Sequence, residues 1–151
     1  MASVTVPRGA EQRKADAVRK LSEGSDIWVA TTGASGAPCL VPLSFAFVDG
    51  QVILATPRRN RTARNVSETG AAHLALGSTR DVVLLEGTAE VLALASLGDD
   101  RAAGYAAQAG WDPRPDESLV WVVFSPRRVQ AWREADELEG RTIMEDGRWL
   151  V

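Results

Sequence analysis

Apolar positions along this chain recur with two different periods. In the run EQRKADAVRKLS, residues 11–22, Ala15, Val18 and Leu21 fall on one face at helical spacing, and EGSD then ends the pattern. From there the chain reads mostly as strands. DIWVATT (26–32) is one, closed by the turn-rich GASGAP; CLVPLSFAFV (39–48) and QVILAT (51–56) flank Asp49-Gly50, the strongest short-range hairpin signal, so these two are expected as antiparallel neighbours. TARNVSETG (62–70) predicts a short helix ending at Gly70, and AAHLALG (71–77) a strand. DVVLLEGTAEVLALAS (81–96) predicts a long strand bulged or bent at Gly87. An Ala-rich helix over 99–110 and a Pro/Asp loop over 111–118 follow. Two strands, LVWVVFS and RRVQAWR, are expected either side of an interruption at Pro126, before a C-terminal tail over about 134–151 that carries Trp149. Six or seven antiparallel strands with a few short helices predict a mostly β sandwich or barrel, in one domain spanning 1–151. The interior of such a barrel is too narrow for a large ligand. A binding site is expected on the outside, where a second subunit can cover it.

Composition narrows the class. With 151 residues, 45% of them hydrophobic and 25% charged, the chain suits one compact domain with one real core rather than two. No apolar run reaches the roughly 18 residues needed to span a bilayer, and MASVTVPRGAEQRKA lacks the apolar segment of a signal peptide. The expectation is a cytoplasmic protein with no membrane partner. Cys39 has no cysteine to pair with, and with His73 as the sole histidine no metal site of the Cys/His kind is expected. A net charge of −3 gives no reason to expect a nucleic-acid partner.

That charge is unevenly spread. Between residues 50 and 67 there is no acid, yet Arg58, Arg59, Arg61 and Arg64 stand together in ATPRRNRTARN; from 134 to 146 six acids face the single Arg141. A basic pocket in an acidic protein points to a small anion, against the plainer reading that four arginines are solvated surface. Other residues offer less chemistry. Ser44 lacks the Gly-x-Ser-x-Gly setting of an acyl-enzyme nucleophile, Cys39 reads as a small hydrophobe, and His73 as a hydrogen-bonded structural residue. Trp28 and Trp121, inside apolar strands, read as core. Trp111, in a loop, is the better candidate for lining a ligand pocket.

Taken in order, PCLVPLSFAF, the Asp-Gly hairpin and ATPRRNRTARN resemble the pyridoxamine 5′-phosphate oxidase-like split β-barrel superfamily, with its flavin- and deazaflavin-dependent oxidoreductases. The resemblance runs over about residues 12–133. It implies a cofactor ring lying along CLVPLS, held largely by backbone at Leu40, Val41, Pro42 and Ser44, and a phosphate held by the basic loop. In that comparison Arg61 matches the basic member of an Arg-Lys pair, and Thr62 stands where the Lys often is. Thr56 and Asn65 complete the matched set, and the charge Thr62 does not bring is expected from Arg58 or Arg59. An Arg fork and a helix N-terminus suit phosphate oxygens. In the tail, PRRVQAWREADELEGR is similar to a pattern whose Trp and Arg reach the partner's flavin, which places Trp132 and Arg141 there; by residue chemistry alone, Trp132 is equally a core or interface aromatic and Arg141 pairs with a nearby acid.

The resemblance implies an oxidoreductase transferring a hydride between FMN or the deazaflavin coenzyme F420 and a small conjugated substrate, at a homodimer interface. No catalytic acid, base or nucleophile stands out, as befits chemistry carried by a cofactor. The two cofactors are not distinguished: the arginines suit one phosphate or a longer anionic tail, while abundant Ala, Arg and Gly with little Lys suggest a GC-rich genome, as in lineages that make F420. Oxidation of pyridoxamine phosphate itself is disfavoured, because a second set of phosphate ligands is missing. The alternatives are a non-enzymatic flavin or haem carrier, with His73 as the available axial ligand, and a barrel that has lost its cofactor.

Overall fold

The computed structural model describes residues 6–151. Helix α1 (Ala10–Glu23) precedes β1 (Asp26–Thr32), β2 (Pro38–Val48) and β3 (Gln51–Pro57); α2 (Arg61–Thr69) leads to β4 (Ala71–Ser78) and β5 (Asp81–Leu92). Helix α3 (Asp99–Ala109), the long β6 (Leu119–Trp132), β7 (Thr142–Glu145) and β8 (Arg148–Trp149) complete the chain, with single 3-10 turns at Leu94–Ser96 and Ala135–Glu137. All pairings are antiparallel. The order β3-β2-β1-β4-β5-β6 closes on itself when β3 pairs with β6, while β7 and β8 extend the sheet beyond β6. The expected mostly β barrel is therefore present, with six strands in the closed part and two more beside it. No helix among the described residues is long and apolar enough to cross a membrane.

Side-chain alternation explains which residues fill it. On β1, Ile27 and Val29 point in while Asp26, Trp28 and Thr32 point out; on β4, Leu74 and Leu76 point in while His73 and Gly77 point out. Trp28, expected in the core, is half exposed on the outer face because it sits on the even, outward phase of β1. Inside, Phe45, Val52, Leu54, Leu85, Val122 and Phe124 pack together, capped by Leu21 of α1 and Val66 of α2. β3 and the first half of β6 are buried on both faces, which is why QVILAT and LVWVVF read as unbroken apolar runs. Their outer face lies under α3, where Ile53, Ala55, Trp121 and Val123 meet Ala102 and Tyr105. The chain thus builds a second, smaller apolar cluster where a single core was expected. The indole N–H of the fully buried Trp121 donates to the Leu94 carbonyl at 3.0 Å.

Two turns and one bulge fix the registers. Asp49 and Gly50 both have positive φ (52° and 78°), the backbone of the two-residue hairpin their sequence predicts; Asp146 and Gly147 (52° and 76°) repeat it between β7 and β8. Pro126 does not break β6 in two. Gly87 faces it across the ladder, Glu86 faces Arg128, and the residue between is accommodated as a bulge, so the missing proline N–H falls where pairing is irregular. A Cβ on Gly87 would lie 2.1 Å from the Ser125 carbonyl oxygen.

The tail is tied to the N-terminal end by buried charge. Arg8, 7% exposed, donates to both carboxylate oxygens of Glu137 (3.1 Å from Nε, 2.9 Å from Nη2) and from Nη1 to Asp16 at 2.9 Å. Arg13 donates to the Glu137 carbonyl at 2.9 Å. Burial pushes the Asp16 and Glu137 carboxyls up, but hydrogen bonds and charge from Arg8 outweigh it and hold both below the ordinary range.

Two outcomes follow from these contacts. Depressed carboxylates contribute stability that is present above their unfolded pKa and lost as pH falls through the folded one, so unfolding free energy should drop from about pH 5 downward. Arg8→Met should cost about 3 kcal/mol at pH 7 and much less near pH 2, measured by urea unfolding across pH. Gly87→Ala should cost about 2 kcal/mol by forcing Ser125 away, seen as a lowered Tm; an unchanged Tm would mean that the bulge yields freely.

Candidate functional site

β2 is longer than the strand beside it. Its C-terminal part, Phe45–Val48, pairs with β3, whereas residues 38–44 pair only with β1. The Phe45 N–H donates to the Ser25 carbonyl on the β1 side at 3.0 Å; since backbone groups alternate in direction, Val41 and Leu43 bond toward β1 and those of Leu40 and Pro42 face the other way. The barrel is split here, and one edge of the split is main chain. Pro42 is tolerated because the position it would have donated from is on this unpaired side.

The other edge is the start of α2. Its N-cap, Asn60, has extended backbone, but its side chain makes no capping bond to the helix and instead donates to Thr56 Oγ1 at 3.1 Å. The first helical bond is Arg64 N–H to the Asn60 carbonyl, at 3.1 Å, so the amides of Arg61, Thr62 and Ala63 have no intrahelical partner. A cleft of about 530 Å³ lies between these edges, lined by residues 38–43 of β2 and by Asn60, Arg61 and Thr62. The first turn of α2, with the free amides of Arg61 and Thr62 at the positive end of the helix dipole, therefore stands across this cleft from β2.

The basic residues divide by role. None of the ion pairs among the described residues involves Arg58, Arg59, Arg61 or Arg64, and all four are exposed. Arg61 lines the cleft itself. Arg58 is engaged elsewhere: its guanidinium donates to the Glu117 carbonyl at 2.7 Å and its N–H to the Ser118 carbonyl at 2.8 Å, tying the basic loop to the segment before β6. Thr56 and Asn65 are buried and do not line the cleft. Thr56, 1% exposed, receives Asn60; buried Asn65 donates to Thr31 Oγ1 at 3.1 Å, locking α2 onto β1. Both hold the cradle in shape. Glu68, on the same helix, accepts from the Ala34 N–H at 2.7 Å and fixes the turn between β1 and β2. Sequence reading passed over Asn60 and Glu68, although an Asn just before a helical run is itself a recognisable N-cap signal.

A second cleft, of about 610 Å³, adjoins the first. It shares Pro42 and Leu43 and is further lined by Asp26, Trp28, Ser44 and Trp111. Trp111 thus lines a pocket, as its loop position suggests. Trp132 and Arg141 line neither cleft: Trp132 closes β6, opposite Val82 of β5. The Arg141 guanidinium lies 5.7 Å from the Trp132 ring centroid and donates to the Leu138 carbonyl, so its partner is an indole face and not the acid its neighbourhood suggested. His73 is exposed, with Glu86 at 3.6 Å, beyond hydrogen-bond reach; the structural hydrogen bond expected of it is replaced by an outward position on β4. Cys39 is buried along the first cleft.

The architecture has known counterparts. Similar solved structures include a conserved hypothetical protein from Mycobacterium tuberculosis (TM-score 0.67, 18% identity, 82% of this chain and 86% of that one). A haem-binding protein from Mycobacterium smegmatis gives 0.65 and 20%, over 95% of this chain and 60% of its own. An F420 reductase gives 0.59 and 17%, over 82% and 98%. At these identities the likeness is one of fold. No curated protein matches the chain. The model of the family described as pyridoxamine 5′-phosphate oxidase matches residues 15–133, covering the barrel from α1 to the end of β6. By that match, and by the split barrel that carries it, the chain belongs to the pyridoxamine 5′-phosphate oxidase family.

Proposed function

We propose that this protein is an oxidoreductase that moves a hydride between a bound flavin-type cofactor, FMN or coenzyme F420, and a small conjugated substrate. The observation that carries the reading is the uncapped N-terminus of α2, with Arg61, facing the unpaired main chain of β2 across one cleft. The donor set suits such a cofactor. Free amides and a planar guanidinium match phosphate oxygens, and a strand edge offers alternating N–H and C=O groups to the polar rim of a flat heterocycle. When bound, the cofactor supplies the hydride chemistry in its own ring. The chain's part is to bind it at Arg61 and the first turn of α2, align it along Leu40 and Pro42, and keep the cradle rigid through Thr56, Asn60 and Asn65.

A homodimer belongs to the same reading. Trp28, Leu40 and Leu84 line one groove with Gln130, which pairs with Leu84, and Trp132 follows two residues along the same face of β6. Twofold packing over this face would carry Trp132 and Arg141, which line neither cleft of their own protomer, toward the partner's cleft.

Haem carriage is the second reading. It is favoured by the exposed His73 at a groove with Trp28, Leu40 and Leu84, and by the fold shared with a haem-binding protein.

Titration of the purified protein with FMN and with F420, followed by tryptophan fluorescence, should give saturable binding of one of them. Arg61→Ala should weaken it by ten- to a hundredfold, losing one charge-assisted contact, and leave the ligand-free Tm unchanged because Arg61 is exposed. Binding of neither would remove the flavin reading. For the haem reading, hemin should give a Soret band shift that His73→Ala abolishes.

A further inference from the structure

The second cleft carries its own chemical selectivity. Its two aromatic walls are Trp28, 50% exposed on β1, and Trp111, 39% exposed on the loop after α3. Its polar groups are the Asp26 carboxylate and the Ser44 hydroxyl, which stand opposite each other in the β1–β2 register. No Lys or Arg lines it, although the adjoining cleft ends in Arg61. Behind Trp111 lies Tyr105, wholly buried, its ring edge-on to Trp111 at 5.9 Å and its hydroxyl without a hydrogen-bond partner. Burial, with the charge of Asp26 adding to it, keeps the Tyr105 phenol protonated, so the wall gains no second negative charge from it.

We infer that this cleft is the substrate subsite, and that it takes a planar aromatic cation and discriminates against anions. Indole faces carry the negative part of a quadrupole and suit flat, electron-poor or positively charged rings. One carboxylate without a compensating cation adds a full negative charge beside them. The phosphate-like part of the cofactor and the substrate would then occupy neighbouring clefts of opposite polarity, meeting where Pro42 and Leu43 are shared. Calling the cleft a substrate subsite rests on the flavin reading; its preference for cations does not.

The test is calorimetric titration of the cofactor-free protein with N-methylquinolinium and with quinoline-2-carboxylate, flat bicycles of opposite charge. The cation should bind at least tenfold more tightly, a margin consistent with one charge–charge contact near a protein surface. Asp26→Asn, at an exposed position, should remove most of that margin while leaving FMN or F420 affinity within twofold. Trp28→Ala should weaken the cation at least fivefold; Trp111→Ala is the less clean variant because Tyr105 packs on it. Equal or tighter binding of the carboxylate, or a margin untouched by Asp26→Asn, would overturn the inference. Should neither cofactor bind while the cation preference and its dependence on Asp26 persist, the flavin reading falls and the ligand class stands.

Discussion

Closure of the barrel by β3 against β6 is the constraint on which the rest depends. Closure sets β3 between β2 and β6, and because α3 roofs its outer face this short apolar strand is buried on both sides. β2 is longer and cannot be matched along its whole length. Its surplus, residues 38–44, keeps one partner in β1 and presents the other edge to solvent. An unpaired edge is ordinarily a liability, managed here by Pro42 within it and by α2 standing opposite. The candidate site is thus a by-product of strand lengths before it is a matter of particular side chains.

Support for that site runs through short, local contacts. Asn65 and Glu68 hold α2 to β1 and to the turn after it, while Asn60, turned back to Thr56, leaves the helix start uncapped. Capping would itself have stabilised the helix by about 1 kcal/mol, so leaving it off is a local sacrifice of the sort expected where a binding surface competes with folding. The Arg8 network joins the segment before α1 to the 3-10 turn at Ala135–Glu137 and has no part in the cleft. Among the described residues the two regions share no hydrogen bond or ion pair, the condition under which stability and ligand affinity respond to different substitutions.

Much of the fold was legible in the sequence because it rests on local rules. The Asp49-Gly50 hairpin and the helix stop at Gly70 come from a backbone conformation that few residues adopt well, the bulge at Gly87 from a close approach that leaves no room for a side chain, and Asp146-Gly147 carried the same hairpin signal within the tail. Long-range outcomes were less legible. Whether Trp28 faces in or out is a question of phase that an apolar run does not answer, and Pro126 looks like a strand end until Gly87 is seen opposite it. The second apolar cluster requires knowing that α3 folds back on β3 and β6. At the site, Arg61 and Thr62 could be placed beside the cleft from sequence order, whereas the supporting roles of Thr56 and Asn65, the diversion of Arg58 to Glu117 and the stacking of Arg141 on Trp132 depend on distances between segments remote in the chain.

The unpaired stretch of β2 has a consequence for how the site can be found by mutation. Its hydrogen-bonding groups belong to the peptide and not to the residue, so replacing Leu40 or Val41 by alanine leaves every one of them in place. An alanine scan would pass over this wall and report only the arginine opposite. Chemistry that edits the main chain itself, an ester in place of the amide at Leu40 or a proline substituted for Leu40, is what would make it visible, and sequence profiles share the scan's blindness for the same reason.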